Sequence, residues 1–184
     1  EYNAANVLAA VCCLIAHGHG ADDVVQALRE IETVPGRLEL VAPAPISVYV
    51  DYAHTPDALL RAQSSLRELI GGRLITVFGC GGDRDRAKRS TMGTIAGELA
   101  DYTVLTSDNP RSESPEKIIE EILPGLRSAK GEQRESFRVI VDRREAIQHA
   151  IAQARDGDAV LIAGKGHEDY QEIGGIRHPF SDRE

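Results

Sequence analysis

The sequence predicts an α/β fold, a doubly wound and mostly parallel sheet with a C-terminal hairpin, preceded by a short helix pair. Two observations carry this. From residue 46 onward, short apolar or β-branched runs alternate with amphipathic helical stretches, the pattern of a parallel sheet with crossover helices. Several of those helices also open on N-capping chemistry. Aromatic residues make up 4% of the 184 and Trp is absent, so the core must be aliphatic.

The first stretch, residues 4–16, places Val7, Leu8, Val11, Leu14 and Ile15 at helical spacing, and Gly18 and Gly20 end it. A second short helix follows with Val24, Val25, Leu28 and Ile31 on one face. Val34-Pro35-Gly36-Arg37 then breaks the pattern, which sets a domain boundary: residues 1–33 on one side, 34–184 on the other. Ile46 to Tyr52 reads as a strand. Thr55-Pro56 opens a helix, Thr as N-cap and Pro at its first position, with Leu59, Ala62, Leu66 and Leu69 facing inward. Leu74 to Phe78 is a buried strand, Met92, Ile95, Ala96 and Leu99 mark a helix, and Tyr102 to Thr106 is the next strand. Ser114-Pro115 opens a helix with Ile118, Ile119, Ile122 and Leu126 inward, and Phe137 to Val141 is a strand. Asp142 with Glu145 fits a capping box before Ala146, Ile147, Ala150 and Ile151. Ala159 to Ala163 is a last buried strand, and Tyr170 to Phe180 a hairpin around Gly174-Gly175. The whole is Rossmann-like in architecture.

Charge and composition exclude several classes. Lys and Arg number 21 against 29 Asp and Glu, a net charge of −8, which argues against a general nucleic-acid binder. No apolar run reaches the roughly 18 residues of a bilayer span, so membrane insertion is not expected. Three Cys, two of them adjacent, fit a reducing cytoplasm better than a disulfide framework. The chain begins at Glu1 rather than Met and reads as a piece of a longer protein.

In an open α/β sheet, ligands bind beyond the C-terminal ends of the strands. Four polar loops fall there: Asp51 to Thr55, Gly79 to Arg84, Ser107 to Arg111, and Gly164 to Glu168. Gly79, Gly81 and Gly82 permit close backbone approach to a ligand. Residues 73–89 hold five basic residues, Arg73, Arg84, Arg86, Lys88 and Arg89, against Asp83 and Asp85, so this loop is expected to attract an anion. A dinucleotide fingerprint would need Gly where Arg84 stands, which weakens an oxidoreductase reading. In the third loop Pro110 stiffens the turn, Arg111 can bind a carboxylate, and Asp108 can bind an ammonium; an amino acid carries both groups. The alternative is a capped turn in which Asp108 or Asn109 bonds its own backbone. In the fourth loop Lys165 reads as a surface residue, and His167-Glu168 lacks the second His of a zinc helix, so no metal site is assigned. His54 is as readily structural as phosphate-binding, Cys80 reads as a small buried residue, and His149, Arg143 and Arg144 read as ordinary surface groups.

Taken together, these loops resemble the Mur ligases of peptidoglycan synthesis. The segments that carry the resemblance are Tyr2 to Ala10, Pro35 to Glu39, Asp51 to Leu59, Val77 to Arg86, Ser107 to Arg111 and Gly164 to Tyr170. The resemblance is strongest to the members that add the third amino acid. It implies that residues 1–33 end a central ATP-binding domain and that 34–184 form the C-terminal domain that receives the amino acid. It also implies a full-length bacterial cytoplasmic enzyme, an ADP-forming ligase that joins meso-diaminopimelate to UDP-MurNAc-L-Ala-D-Glu and uses ATP and Mg²⁺. The phosphate-binding loop and the modified Lys that helps hold Mg²⁺ would lie in a part of the central domain this chain does not carry, so the chain alone would be inactive and contain no catalytic residue. Matching family positions, Asn3, Asn6, Arg37, Asp51 and His54 would surround ATP. Arg84, Asp108, Asn109, Pro110, Arg111, Gly164 and Glu168 would bind meso-diaminopimelate. The alternatives are a lysine-adding Mur ligase, a ligase like folylpolyglutamate synthase, or a non-catalytic ligand-binding domain.

Overall fold

The computed structural model describes residues 2–30, 34–130 and 136–184. The chain forms two compact units, Glu1–Val34 and Pro35–Glu184. The first contains α1 (Tyr2–Ala16) and α2 (Ala21–Glu30), separated where Gly18 takes a left-handed φ of +97°. Val24 is buried and Leu28, one turn on, partly so, whereas Val25 is half exposed, one position off that stripe. Ile31, expected on the same face, lies outside the described residues.

The second unit is built on a six-stranded sheet of β1 (Glu39–Ala42), β2 (Ser47–Asp51), β3 (Leu74–Phe78), β4 (Tyr102–Leu105), β5 (Phe137–Val139) and β6 (Ala159–Ala163). Their order is β1-β2-β6-β3-β4-β5; β1 runs antiparallel to β2, and all the other pairs are parallel. Strand β1 is the element that the sequence pattern misses. The helices are α3 (Pro56–Leu69), α4 (Lys88–Leu99), α5 (Pro115–Lys130) and α6 (Arg143–Gln153). A separate antiparallel hairpin pairs β7 (Tyr170–Ile173) with β8 (Ile176–Pro179).

Alternation along the strands sorts the core into two layers. Leu74 and Phe78 of β3 and Ala159, Leu161 and Ala163 of β6 pack with Leu59, Leu66, Met92, Ile122 and Leu126 of α3, α4 and α5. Ile75, Val77, Val160 and Ile162 pack on the other layer with Ala146 and Ala150 of α6. The sheet is therefore covered on both faces, which is why β3 and β6 are continuous apolar runs. Capping follows the sequence: Thr55 accepts the Ala58 N–H, and Asp142 accepts the Glu145 N–H at 2.9 Å. Leu69, expected inward, is the last residue of α3 and is 70% exposed; Gln63 is buried instead and donates to Thr76 of β3.

Candidate functional site

Loops from the C-terminal ends of β2, β3, β4 and β6 line a cleft of about 340 Å³. Tyr52, His54 and Thr55 come from the first, Gly81, Arg84, Asp85 and Lys88 from the second and the start of α4, Asp108, Asn109 and Arg111 from the third, Gly164 and Glu168 from the fourth. Every residue expected to bind the amino acid lines the cleft except Pro110, which is buried behind it.

Two of the three glycines of the β3 loop are packed against the neighbouring loop. A Cβ on Gly82 would sit 1.9 Å from the Pro110 carbonyl oxygen, and one on Gly79 2.2 Å from that of Thr106. Gly81 lines the cleft. The basic residues around that loop are likewise mostly engaged within the fold. Arg73 pairs with Asp158, Arg86 with Glu121, and the buried Arg89 with both Glu113 and Glu121. Only Arg84 and Lys88 of the five face the cleft, so the anion-attracting charge is smaller than the sequence count.

The β4 loop is held from three sides. Arg111 takes a φ of +53°, and its N–H donates to the Glu172 carbonyl of β7 while its own carbonyl accepts from Gly174. Its guanidinium donates from Nη1 to the Gly82 carbonyl at 2.8 Å, and Nε faces the Glu172 carboxylate at 3.8 Å. Gln171 donates to the Asp108 carbonyl at 2.7 Å, and the Glu172 N–H to Asn109 Oδ1 at 2.9 Å. The hairpin is thus a clamp on this loop, a role that its sequence does not announce.

Two cations read from sequence as surface groups are fully buried here. Lys165 Nζ lies 2.8 Å from Asn109 Oδ1, 3.4 Å from Glu168 Oε2 and 3.5 Å from Asp108 Oδ1. Asn109 Nδ2 in turn donates to Glu168 at 2.8 Å. Arg143, at the first position of α6, makes a two-pronged pair with Asp182 at 2.7 Å on both bonds. It also donates to the carbonyls of Ala163, at 3.0 Å, and Ser107, at 3.4 Å, and so ties together the ends of β6 and β4. Position between two glycines directly after a buried strand was the available signal for Lys165; nothing local marks Arg143. His149, read as an ordinary surface group, is part-buried with its ring 3.0 Å from the Tyr102 hydroxyl, and burial lowers its pKa.

The side of the cleft near β2 is aromatic. Tyr52 contacts the rings of His54 and His167, at 4.6 and 5.5 Å between centroids, and the Arg37 guanidinium lies 5.0 Å over its face. Asp51 is buried, and burial pushes its pKa up despite the Leu38 N–H that it accepts at 2.6 Å. That bond ties the turn of residues 36–38 to the end of β2, and Gly36 packs on the β6 loop, where a Cβ on it would lie 2.3 Å from the His167 nitrogen. Arg37, Asp51 and His54 are therefore neighbours around one turn. Asn6 is exposed on α1 in the other unit, and the Asn3 side chain lies outside the described residues. Burial pushes the Cys80 thiol up to about 12, which disfavours a nucleophilic thiolate and agrees with a packing role beside Met92. Among the described residues no group of three or more His, Cys, Asp or Glu could hold a metal ion, and no helix is long and apolar enough to cross a membrane.

Comparison with known proteins places the chain in a family. The chain is 50% identical over 186 residues to a UDP-N-acetylmuramoyl-L-alanyl-D-glutamate–2,6-diaminopimelate ligase of Chromobacterium violaceum, covering 99% of this chain and 36% of that protein. A solved structure of a ligase of the same name superposes with a TM-score of 0.75 at 42% identity, covering 99% of this chain and 37% of that one. A folylpolyglutamate synthase of Mycobacterium tuberculosis shares the fold, with a TM-score of 0.60 at 24% identity over 80% of this chain and 33% of its own. The chain spans little more than a third of the length of the diaminopimelate ligases it matches. Residues 36–166 match the family described as Mur ligase, glutamate ligase domain, and the chain belongs to that family.

Proposed function

We propose that this chain is the amino-acid-receiving part of an ATP-dependent, ADP-forming ligase that adds meso-diaminopimelate to UDP-MurNAc-L-Ala-D-Glu in bacterial peptidoglycan synthesis. The observation that carries the reading is that the guanidinium residues Arg84 and Arg111 and the carboxylate residues Asp108 and Glu168 line one cleft. Diaminopimelate has two carboxylates and two amines. Arg84 and Arg111 take the carboxylates, Asp108 and Glu168 take the ammonium that does not react, and Asn109 and Gly164 shape the seat between them. The reacting amine attacks the acyl phosphate formed when ATP phosphorylates the glutamate carboxylate, giving an amide, ADP and phosphate.

Residues 1–33 belong, in this reading, to the end of an ATP-binding domain, and Asn3 and Asn6 contribute to the nucleotide site. Arg37, Asp51 and His54 lie on the nucleotide side of the cleft: Arg37 for phosphate or ribose, Asp51 for ribose hydroxyls. In this reading the Mg²⁺ ion and the phosphoryl transfer belong to the central domain of the full-length protein. The protein works in the cytoplasm, where its nucleotide substrates are.

The test is to incubate the full-length protein with ATP, Mg²⁺, UDP-MurNAc-L-Ala-D-Glu and either meso-diaminopimelate or L-lysine, and to follow ADP release and product mass. Diaminopimelate-dependent ADP release with formation of the tripeptide is expected. Equal or better use of lysine, or ADP release without an amide product, would overturn the reading.

A further inference from the structure

We propose that Lys165 is a positioning residue for the ammonium-receiving end of the cleft, acting through Asp108, Asn109 and Glu168; this rests on the reading of the cleft given above. Lys165 does not line the cleft, whereas all three of its partners do. Its ammonium is fully buried beneath them, with the Tyr170 ring 5.6 Å away.

The hydrogen-bond pattern shows what the ammonium does. Asn109 Oδ1 accepts from Lys165 Nζ and from the Glu172 N–H. Both of its donors are thereby used to define one amide orientation, since a flipped side chain would put NH₂ against an ammonium. In that orientation Nδ2 must point at Glu168, where it donates at 2.8 Å. Lys165 shares the fixing of Asn109 with the Glu172 N–H and also donates directly to the same Glu168 oxygen at 3.4 Å, so it helps hold that oxygen and, through it, the way the carboxylate faces the cleft.

Charge gives a second reason. Two carboxylates around one ammonium leave a single negative charge in excess, which matches one ligand ammonium. Without Lys165, Asp108 and Glu168 would form an unbalanced like-charged pair, and the seat would spread. Lys165 also cannot be replaced by the ligand, because it lies behind the seat and not in it.

The experiment uses the full-length protein with Lys165→Met and Lys165→Ala. Lys165→Met keeps the apolar stem and removes the charge. The expected result is a KM for meso-diaminopimelate raised at least about tenfold, with the KM values for ATP and the UDP-linked substrate held within about twofold. Ethylammonium added to Lys165→Ala is expected to lower the raised KM again, since it can enter the vacated space and donate to Asn109. Tetramethylammonium, which has charge but no N–H, is expected not to do so. An unchanged amino-acid KM in a folded variant, a parallel rise in all three KM values, or absence of rescue would overturn the proposal. Loss of cooperative unfolding in both variants would also overturn it, making Lys165 a folding residue. Wild-type turnover tests the substrate reading separately: if wild type takes another amino acid, the same variant-to-wild-type ratio is read with that amino acid.

Discussion

Arg143 and Lys165 are both fully buried cations beneath the same end of the sheet, yet their surroundings differ in one respect. Arg143 is hydrogen-bonded to a single carboxylate, Asp182, itself buried, its remaining donors go to two strand-end carbonyls, and Asp108 and Glu168 act on it only through space. Its hydrogen-bonded pair is neutral and closed. Lys165 meets two carboxylates and an amide oxygen, all of which reach the open cleft. That arrangement is one charge short and open. A buried pair that balances holds parts of the fold together, whereas a buried cluster that does not balance has a place for a further charge.

The largest effect follows from breaking the closed pair. Asp182→Ala leaves a guanidinium buried without its counter-ion, which costs roughly 3–5 kcal/mol. Urea unfolding is the measurement, and a fall of that size is expected together with loosening of residues 180–183. The double variant Arg143→Met with Asp182→Leu removes both charges and is expected to recover much of the loss. If Asp182→Ala costs less than about 1 kcal/mol, the two regions do not differ in the way argued, because the pair would not be truly desolvated.

The open region is probed by Arg111. Its guanidinium is fixed by Gly82 and faces Glu172, so it is oriented before any ligand arrives. Removing one partner of a buried charged contact costs roughly 2–5 kcal/mol. Arg111→Ala in the full-length protein is therefore expected to lose at least about tenfold in kcat/KM for diaminopimelate. Lysine lacks the second carboxylate, so its use is expected to fall far less. Equal falls for the two amino acids would mean that Arg111 holds the Gly82 loop rather than reads the ligand.

How much of this was legible in the sequence depends on the range of the interaction. Strands β3 and β6 match the predicted runs, because a strand buried on both faces is apolar throughout. The hairpin and the caps at Thr55 and Asp142 were also legible, since their chemistry lies within a few residues. Strand β1 was not: four residues at a sheet edge carry little periodicity, and Glu39 serves the neighbouring turn by accepting the Gly36 N–H. The buried cations escaped for another reason. Lys165 finds Asp108 57 residues away and Arg143 finds Asp182 39 residues away, so only the folded chain shows that they are paired. The site loops were recognisable as a set, but the clamp formed by Gln171 and Glu172 was not, because its bonds join residues about 60 positions apart and half of them involve backbone alone.

A third buried cation, Arg89, sharpens the comparison with the smallest effect. Together with Arg86, which shares Glu121, it is balanced like Arg143, but by two carboxylates that keep contact with water: Glu113 is 23% exposed and Glu121 29%. The Arg89 guanidinium holds the Glu113 pKa down to about 2, from 4.5, helped by the Asp83 N–H. A carboxylate whose pKa is depressed by folding stabilises the protein above its unfolded pKa, and that contribution disappears as pH falls through the folded value. The stabilisation from Glu113 is therefore expected to be complete above about pH 4.5 and to vanish toward pH 2. Because water screens the pair, roughly 1 kcal/mol is at stake rather than the several expected at Arg143. Thermal unfolding of wild type and Glu113→Gln between pH 7 and pH 2.5 reads this directly. The two melting temperatures are expected to differ near neutrality and converge on acidification. A gap that stays constant with pH would mean that Glu113 acts by anchoring the Asp83 turn through hydrogen bonding alone, and that the charge of Arg89 is balanced by Glu121.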